Sequence, residues 1–145
     1  MPERLFDPAR ALVLSLKPRF AEAILDGTKT IEVRRIMPRI TVPTLALLYA
    51  SGAIRALVGT CVVRSVARYP TEELWQQHGA HTALSRAEFN TYLVGRDSGV
   101  ALLLEHPKPL AVPIPLHTLR QAHGFRPPQS LAYVNHAQRK RLLAA

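Results

Sequence analysis

The chain has 145 residues, 48% of them hydrophobic, with 19 lysines and arginines against 10 acidic residues, a net charge of +9 and a pI near 10.6. That length supports one domain around one core, no apolar run nears the roughly 20 residues of a membrane-spanning helix, and MPERLFDPAR at the start lacks the apolar centre of a secretion signal. A single cysteine excludes an internal disulfide framework and points to a reducing, cytoplasmic setting, while the surplus positive charge favours a nucleic-acid partner and says nothing about catalysis.

Taken in order, residues 1–10 read as an irregular lead-in. Leu12, Leu14 and Leu16 alternate with Val13 and Ser15, which is the period of a strand. Lys17-Pro18 ends it, because proline is accommodated in a first helical turn where its missing N–H costs nothing. Phe20, Ala21, Ile24 and Leu25 then form the apolar face of a short helix, and Gly27 is its left-handed stop. Residues 28–35, TKTIEVRR, read as a charged, β-branched strand with Glu32 and Arg34 on one face and Ile31 and Val33 on the other.

Ile36 to Pro43 is a proline-bearing loop, and Thr44 to Ala50 an apolar strand buried on both faces. Ala56 to Ala67 is a long strand in which Gly59 marks a bulge. Thr71 is expected to cap a helix carrying Leu74, Trp75 and His78 on one face. Ser85 and Glu88 form a capping box for a second helix through Phe89, Tyr92 and Leu93, ended by Gly95. Val100 to Glu105 and Leu110 to Ile114 read as two strands around His106-Pro-Lys-Pro. A short helix from Pro115 stops at Gly124, residues 131–134 form a closing strand, and residues 135–145 a basic terminal helix that frays. Five or six strands with two or three helices and a bulge predict a small closed α+β barrel.

Three groups carry candidate chemistry. Lys17, Lys29, Glu32 and Arg34 return to one region and make a polar pocket suited to a phosphate or a nucleobase edge; the structural alternative is a surface ion pair with solvated lysines. Tyr49, Ser51 and Arg55 stand where one strand ends and the next begins, at a barrel mouth, with a core tyrosine as the alternative. Gln129 and Ser130 follow Pro127-Pro128 in a stiff loop able to reach that mouth, the alternative for Ser130 being a turn cap. The six histidines and one cysteine have no metal-ligand spacing, and no phosphate-loop or dinucleotide fingerprint is present, so neither metal nor cofactor is expected.

Gly27, Lys29, Glu32 and Arg34 spell G-x-K-x-x-E-x-R, and with LSLKP before them the chain resembles the ASCH domain family, relatives of the RNA-binding PUA domain. The likeness continues through LLYASGAIRALVGTCVV, TEELW, LSRAEFNTYLVG and PIPLHTLR to GFRPPQS, covering residues 11–134. It implies a PUA-like β-barrel of five to six mixed strands flanked by short helices, acting on single-stranded RNA or a nucleotide. The activity expected is slow, metal-independent RNA cleavage with Tyr49, Arg55, Ser130 and Lys29 as catalytic groups and Lys17, Glu32, Arg34, Ser51 and Gln129 as ligand contacts. A non-catalytic RNA-binding module is the alternative. Some relatives are small amidohydrolases acting on acylated nucleosides through a threonine three residues after the motif lysine; here Glu32 occupies that position, so this activity ranks last.

Overall fold

Alternation along the strands sorts the chain into three apolar clusters around one mixed sheet. The structure, a computed structural model, describes residues 10–144; the reading of residues 1–9 as a lead-in lies outside the described residues. Six strands are ordered β2-β5-β4-β3-β1-β6, where β1 is Arg10–Leu16, β2 Ile31–Arg34, β3 Thr44–Ala50, β4 Ala56–Pro70, β5 Ser98–Pro115 and β6 Leu131–Asn135. β1 and β3 run parallel, with α1 (Pro18–Asp26) in the crossover that parallel pairing requires, and every other pair is antiparallel.

The inner face carries Leu12, Leu14, Leu16, Ala46, Leu48, Val63 and Leu102, and Ala21 and Ile24 of α1 pack into it. The opposite faces of β1 and β3, with Val13, Leu47 and Tyr49, are covered by Leu116 and Leu119 of α4 (Leu116–His123) and Leu142 of α5 (His136–Ala144). Ile31, Val33 and Ala101 face Leu74 of α2 (Thr71–His78) and Phe89 of α3 (Arg86–Tyr92). Burying faces of this size, at about 25 cal/mol per Å² of apolar area, is the main force closing the sheet on α1.

The six mixed strands with short helices agree with the expected barrel-like fold, with one correction. The barrel is not closed by hydrogen bonds, because β2 and β6 are the two edges of the sheet. Other differences are local. β2 spans four residues rather than eight, since Lys29 N–H donates to Ala23 C=O and Thr30 N–H to His81 C=O, outside the ladder. The Thr71 hydroxyl donates to Arg96 C=O instead of capping α2. Residues 98–115 form one strand, not two, bent where His106 takes φ 52°. The terminal helix is anchored through Leu142, which is 3% exposed. Gly27 (φ 87°), the Gly59 register shift, the Ser85–Glu88 capping box and Gly124 (φ 62°) stand where the sequence placed them. No described helix is long and apolar enough to cross a membrane.

Candidate functional site

The side chain of Lys29 is almost wholly enclosed, the residue being 2% exposed. Its Nζ donates to Ile31 C=O at 2.8 Å and Thr82 C=O at 2.6 Å, lies 3.5 Å from Glu32 Oε1, and sits 5.1 Å from the Phe20 ring centre. Burial pulls its pKa below the usual lysine range, and the Glu32 carboxylate opposes that pull. Glu32 is itself buried, so the alternative of a surface ion pair with a solvated lysine does not hold here. Its Oε2 lies 3.5 Å from Arg34 Nη2, and Arg34 Nη1 donates to the Ser130 hydroxyl. That last bond matters for the architecture: Arg34 is on edge strand β2 and Ser130 immediately precedes edge strand β6, so a side chain bridges the seam that backbone pairing leaves open.

The loop bearing Gln129 and Ser130 is fastened to the end of β1. Ser15 Oγ donates to Pro128 C=O at 2.6 Å and Ser15 N–H to Ser130 C=O at 2.9 Å. The turn after β3 is fastened to the same place, since both N–H and Oγ of Ser51 donate to Leu16 C=O. Arg55 closes that turn with φ 50°, in the left-handed region that non-glycine residues visit rarely, and its C=O accepts from Leu116 N–H.

Two grooves result, divided by residues 15–17 and Gln129, which line both. The inner groove, about 720 Å³, has Lys29, Glu32, Arg34, Phe20, Leu84 and Tyr92 among its walls. The outer groove, about 500 Å³, gathers Tyr49, Ser51, Arg55 and Arg120 with Pro127 and Pro128. Pairing of Ser15 with Tyr49 and of Glu32 with Leu102 explains the division, because Tyr49 belongs to the outward-facing cluster whereas Leu102 belongs to the inner one. The catalytic and ligand-contact groups that the resemblance implies are therefore divided between two adjoining grooves, with Lys17 and Gln129 on the ridge and Ser130 tied to Arg34 on the inner side.

The charges differ between them. Among the described residues, the inner lining holds the carboxylates of Glu32 and Glu88 along with its cations, and the outer lining holds Lys17, Arg55 and Arg120 and no carboxylate. Sequence reasoning missed Arg120, Arg35 and Tyr92. Arg120 lies on α4, remote in sequence from the other groove residues, and gave no local signal; Arg35 ended the motif strand, and its guanidinium rests 4.3 Å from the Tyr92 ring centre. Among the described residues no three His, Cys, Asp or Glu side chains converge as metal ligands.

A six-stranded α+β barrel with an open seam, a helix in its crossover and grooves at the seam defines a PUA-like fold. The ASCH domain model matches residues 14–108, and the chain belongs to the ASCH domain family. It is 30% identical over 133 residues to the ASCH domain-containing ribonuclease of Zymomonas mobilis, spanning 91% of this chain and 89% of that protein. The crystal structure of ASCH from Zymomonas mobilis superposes with a TM-score of 0.88 at 29% identity, covering 95% of this chain and 96% of the other. Serine-to-alanine and tyrosine-to-phenylalanine variants of that protein superpose with TM-scores of 0.87 and 0.87, each at 29% identity over 92% of this chain and over 94% and 96% of theirs.

Proposed function

We propose that this chain is a metal-independent ribonuclease acting on single-stranded RNA in the cytoplasm, with its scissile phosphate in the outer groove. The observation that carries the reading is the lining of that groove: among the described residues it holds three cations, a tyrosine and two serines without a carboxylate. Such a lining attracts a phosphodiester and stabilises the charge that develops on it. The relative named a ribonuclease supports the activity, and the residue types altered in the two Zymomonas variants, serine and tyrosine, are types this site supplies.

In the proposed mechanism the 2′-oxygen attacks phosphorus, the P–O5′ bond breaks, and a 2′,3′-cyclic phosphate and a 5′-hydroxyl form. Tyr49 exchanges the protons that this requires, Arg55 holds the non-bridging oxygens with Arg120 and Lys17, and Ser51 and Gln129 position the strand. Lys29 is a positioning residue, fixing Glu32, while Arg34 holds Ser130 against the ridge. Among the described residues the groove lining includes no histidine, so slow turnover is expected.

The test is incubation of purified protein with end-labelled single-stranded RNA in EDTA, beside Tyr49→Phe and Arg55→Ala prepared identically. Tyr49→Phe should slow cleavage about 100-fold or more, the lower range for loss of a general acid or base, while binding changes far less. Equal cleavage by Tyr49→Phe would remove Tyr49 from the mechanism. Absence of cleavage with intact binding would make the chain an RNA-binding module.

A further inference from the structure

The inner groove contains a carboxylate short of donors beside a donor without an acceptor. Glu32 is 8% exposed, yet its nearest protein donors, Lys29 Nζ and Arg34 Nη2, both stand off at 3.5 Å. That is the outer limit of a hydrogen bond, so most of its lone pairs are unused. Arg34 Nε is enclosed and has no hydrogen-bond partner among the described residues. A buried polar group left unpaired carries a desolvation cost that a ligand can relieve.

We infer that the inner groove reads the base next to the cleaved phosphate, and that Glu32 with Arg34 selects guanine. This rests on the ribonuclease reading and adds its substrate preference. A phosphate suits this groove less than the outer one, because Glu32 and Glu88 both line it. A base suits it better: Phe20, Val33, Leu84 and Tyr92 supply apolar walls for a flat ring. The volume of about 720 Å³ lies inside the range of roughly 300–1,000 Å³ usual for small-molecule sites. The ridge of residues 15–17 and Gln129 borders both grooves, so a nucleotide crossing it puts its phosphate on one side and its base on the other.

Base identity follows from donor and acceptor order. Guanine presents O6 as an acceptor, then N1–H and N2–H₂ as donors. Arg34 Nε–H, which has no partner among the described residues, is the donor left for O6, and the two Glu32 oxygens accept from N1 and N2. Cytosine and adenine set a ring-nitrogen lone pair against the carboxylate beside their single amino group. Uracil offers one N–H between two carbonyls, one of which then faces the carboxylate. Only guanine matches acceptor, donor, donor across the edge.

The experiment uses short uridine oligoribonucleotides carrying a single guanosine, inosine, adenosine or cytidine, with wild type and Glu32→Gln. Binding is read by fluorescence anisotropy and cleavage by mapping the cut site. Wild type should prefer guanosine over adenosine about tenfold to hundredfold, the span of a good bidentate base contact. Inosine, which lacks the N2 amine, should fall between them. In Glu32→Gln the carboxamide offers one acceptor and one donor, so the guanosine-to-adenosine ratio should drop about tenfold or more. The ratio is taken within each protein, so a change in overall rate or folded fraction cancels.

If Glu32→Gln fails to fold, the wild-type ranking of guanosine, inosine and adenosine decides by itself. Cleavage with equal rates at all bases overturns the inference and leaves the ribonuclease reading standing. Guanosine-selective binding without cleavage does the reverse. A guanosine preference that Glu32→Gln retains removes Glu32 as the reader.

Discussion

Enclosing an ammonium group costs several kcal/mol unless its protons find acceptors, and Lys29 finds two carbonyls and a carboxylate. Removing one partner of such a buried pair strands the other, so Lys29→Ala should lower the unfolding free energy by about 3–5 kcal/mol in a urea titration. A loss below about 1 kcal/mol would put the pair in the class of exposed ones, such as Arg19 with Glu88, whose side chains are 53% and 42% accessible. Glu32→Ala, for the same reason, should cost stability as well as ligand selection. Cys61 makes a complementary case. It is 1% exposed, and burial, reinforced by the negative charge of Glu32, pushes its thiol up to about 12 from 9.0. The folded state keeps this proton while the unfolded chain releases it near 9.0, so the thiol's contribution to stability falls as pH rises above that value. A disulfide reagent at pH 8 should therefore label denatured protein at once and native protein only on opening. Immediate labelling of the folded chain would place the thiol at the surface.

At the scale of elements, α1 packs closely on β4 at Gly59. A Cβ on Gly59 would come within 2.5 Å of a Leu25 methyl and 2.6 Å of the Lys108 carbonyl oxygen, and the latter is backbone that cannot swing away. Gly59→Ala should therefore destabilise by about 1–3 kcal/mol, as overpacking does, lowering the melting temperature; an unchanged melt would mean β5 yields freely there. This glycine was legible as a bulge from its place in a β-branched run, as were α1, β3 and the Ser85 capping box, because each is decided by residues a few positions apart. What escaped the sequence depends on distant partners. Proline punctuation divides residues 98–115 on paper. In the fold, β5 pairs with β2 only over residues 100–103, so Pro107, Pro109, Pro113 and Pro115 occupy a stretch where one side needs no N–H donor. Lys29 reads locally as a solvated lysine after a turn, and its burial is set by Thr82, 53 residues away. The motif residues were found, but their separation from Tyr49 into another groove follows from strand register, which no local spacing states.

Across the whole molecule, a net charge of +9 produces a field that any polyanion feels, but only charges within reach of a bound strand release its counterions. The outer groove presents Lys17, Arg55 and Arg120, the exposed Arg35 borders the inner one, and the exposed Arg19 near the start of α1 is paired with Glu88. Lys29 and Arg34 are committed to Glu32 and Ser130 and add little to phosphate contact. Arg64 and Arg68 on β4, and Arg139, Lys140 and Arg141 on α5, lie on elements outside these linings, and their effect on a short strand is steering that salt screens over about 8–10 Å. Four to six phosphate contacts at about −0.7 each predict a log–log slope of affinity against salt of roughly −3 to −4 for a short single strand. Anisotropy titrations through a salt series measure this directly. Arg55→Ala should reduce the slope by about 0.7, one contact's worth, whereas a charge-removing change at Lys140 should leave the short-strand slope unaltered. Affinity that stays constant from low to high salt would rule out phosphate capture by the outer groove. An equal effect from Lys140 would move the binding track onto α5.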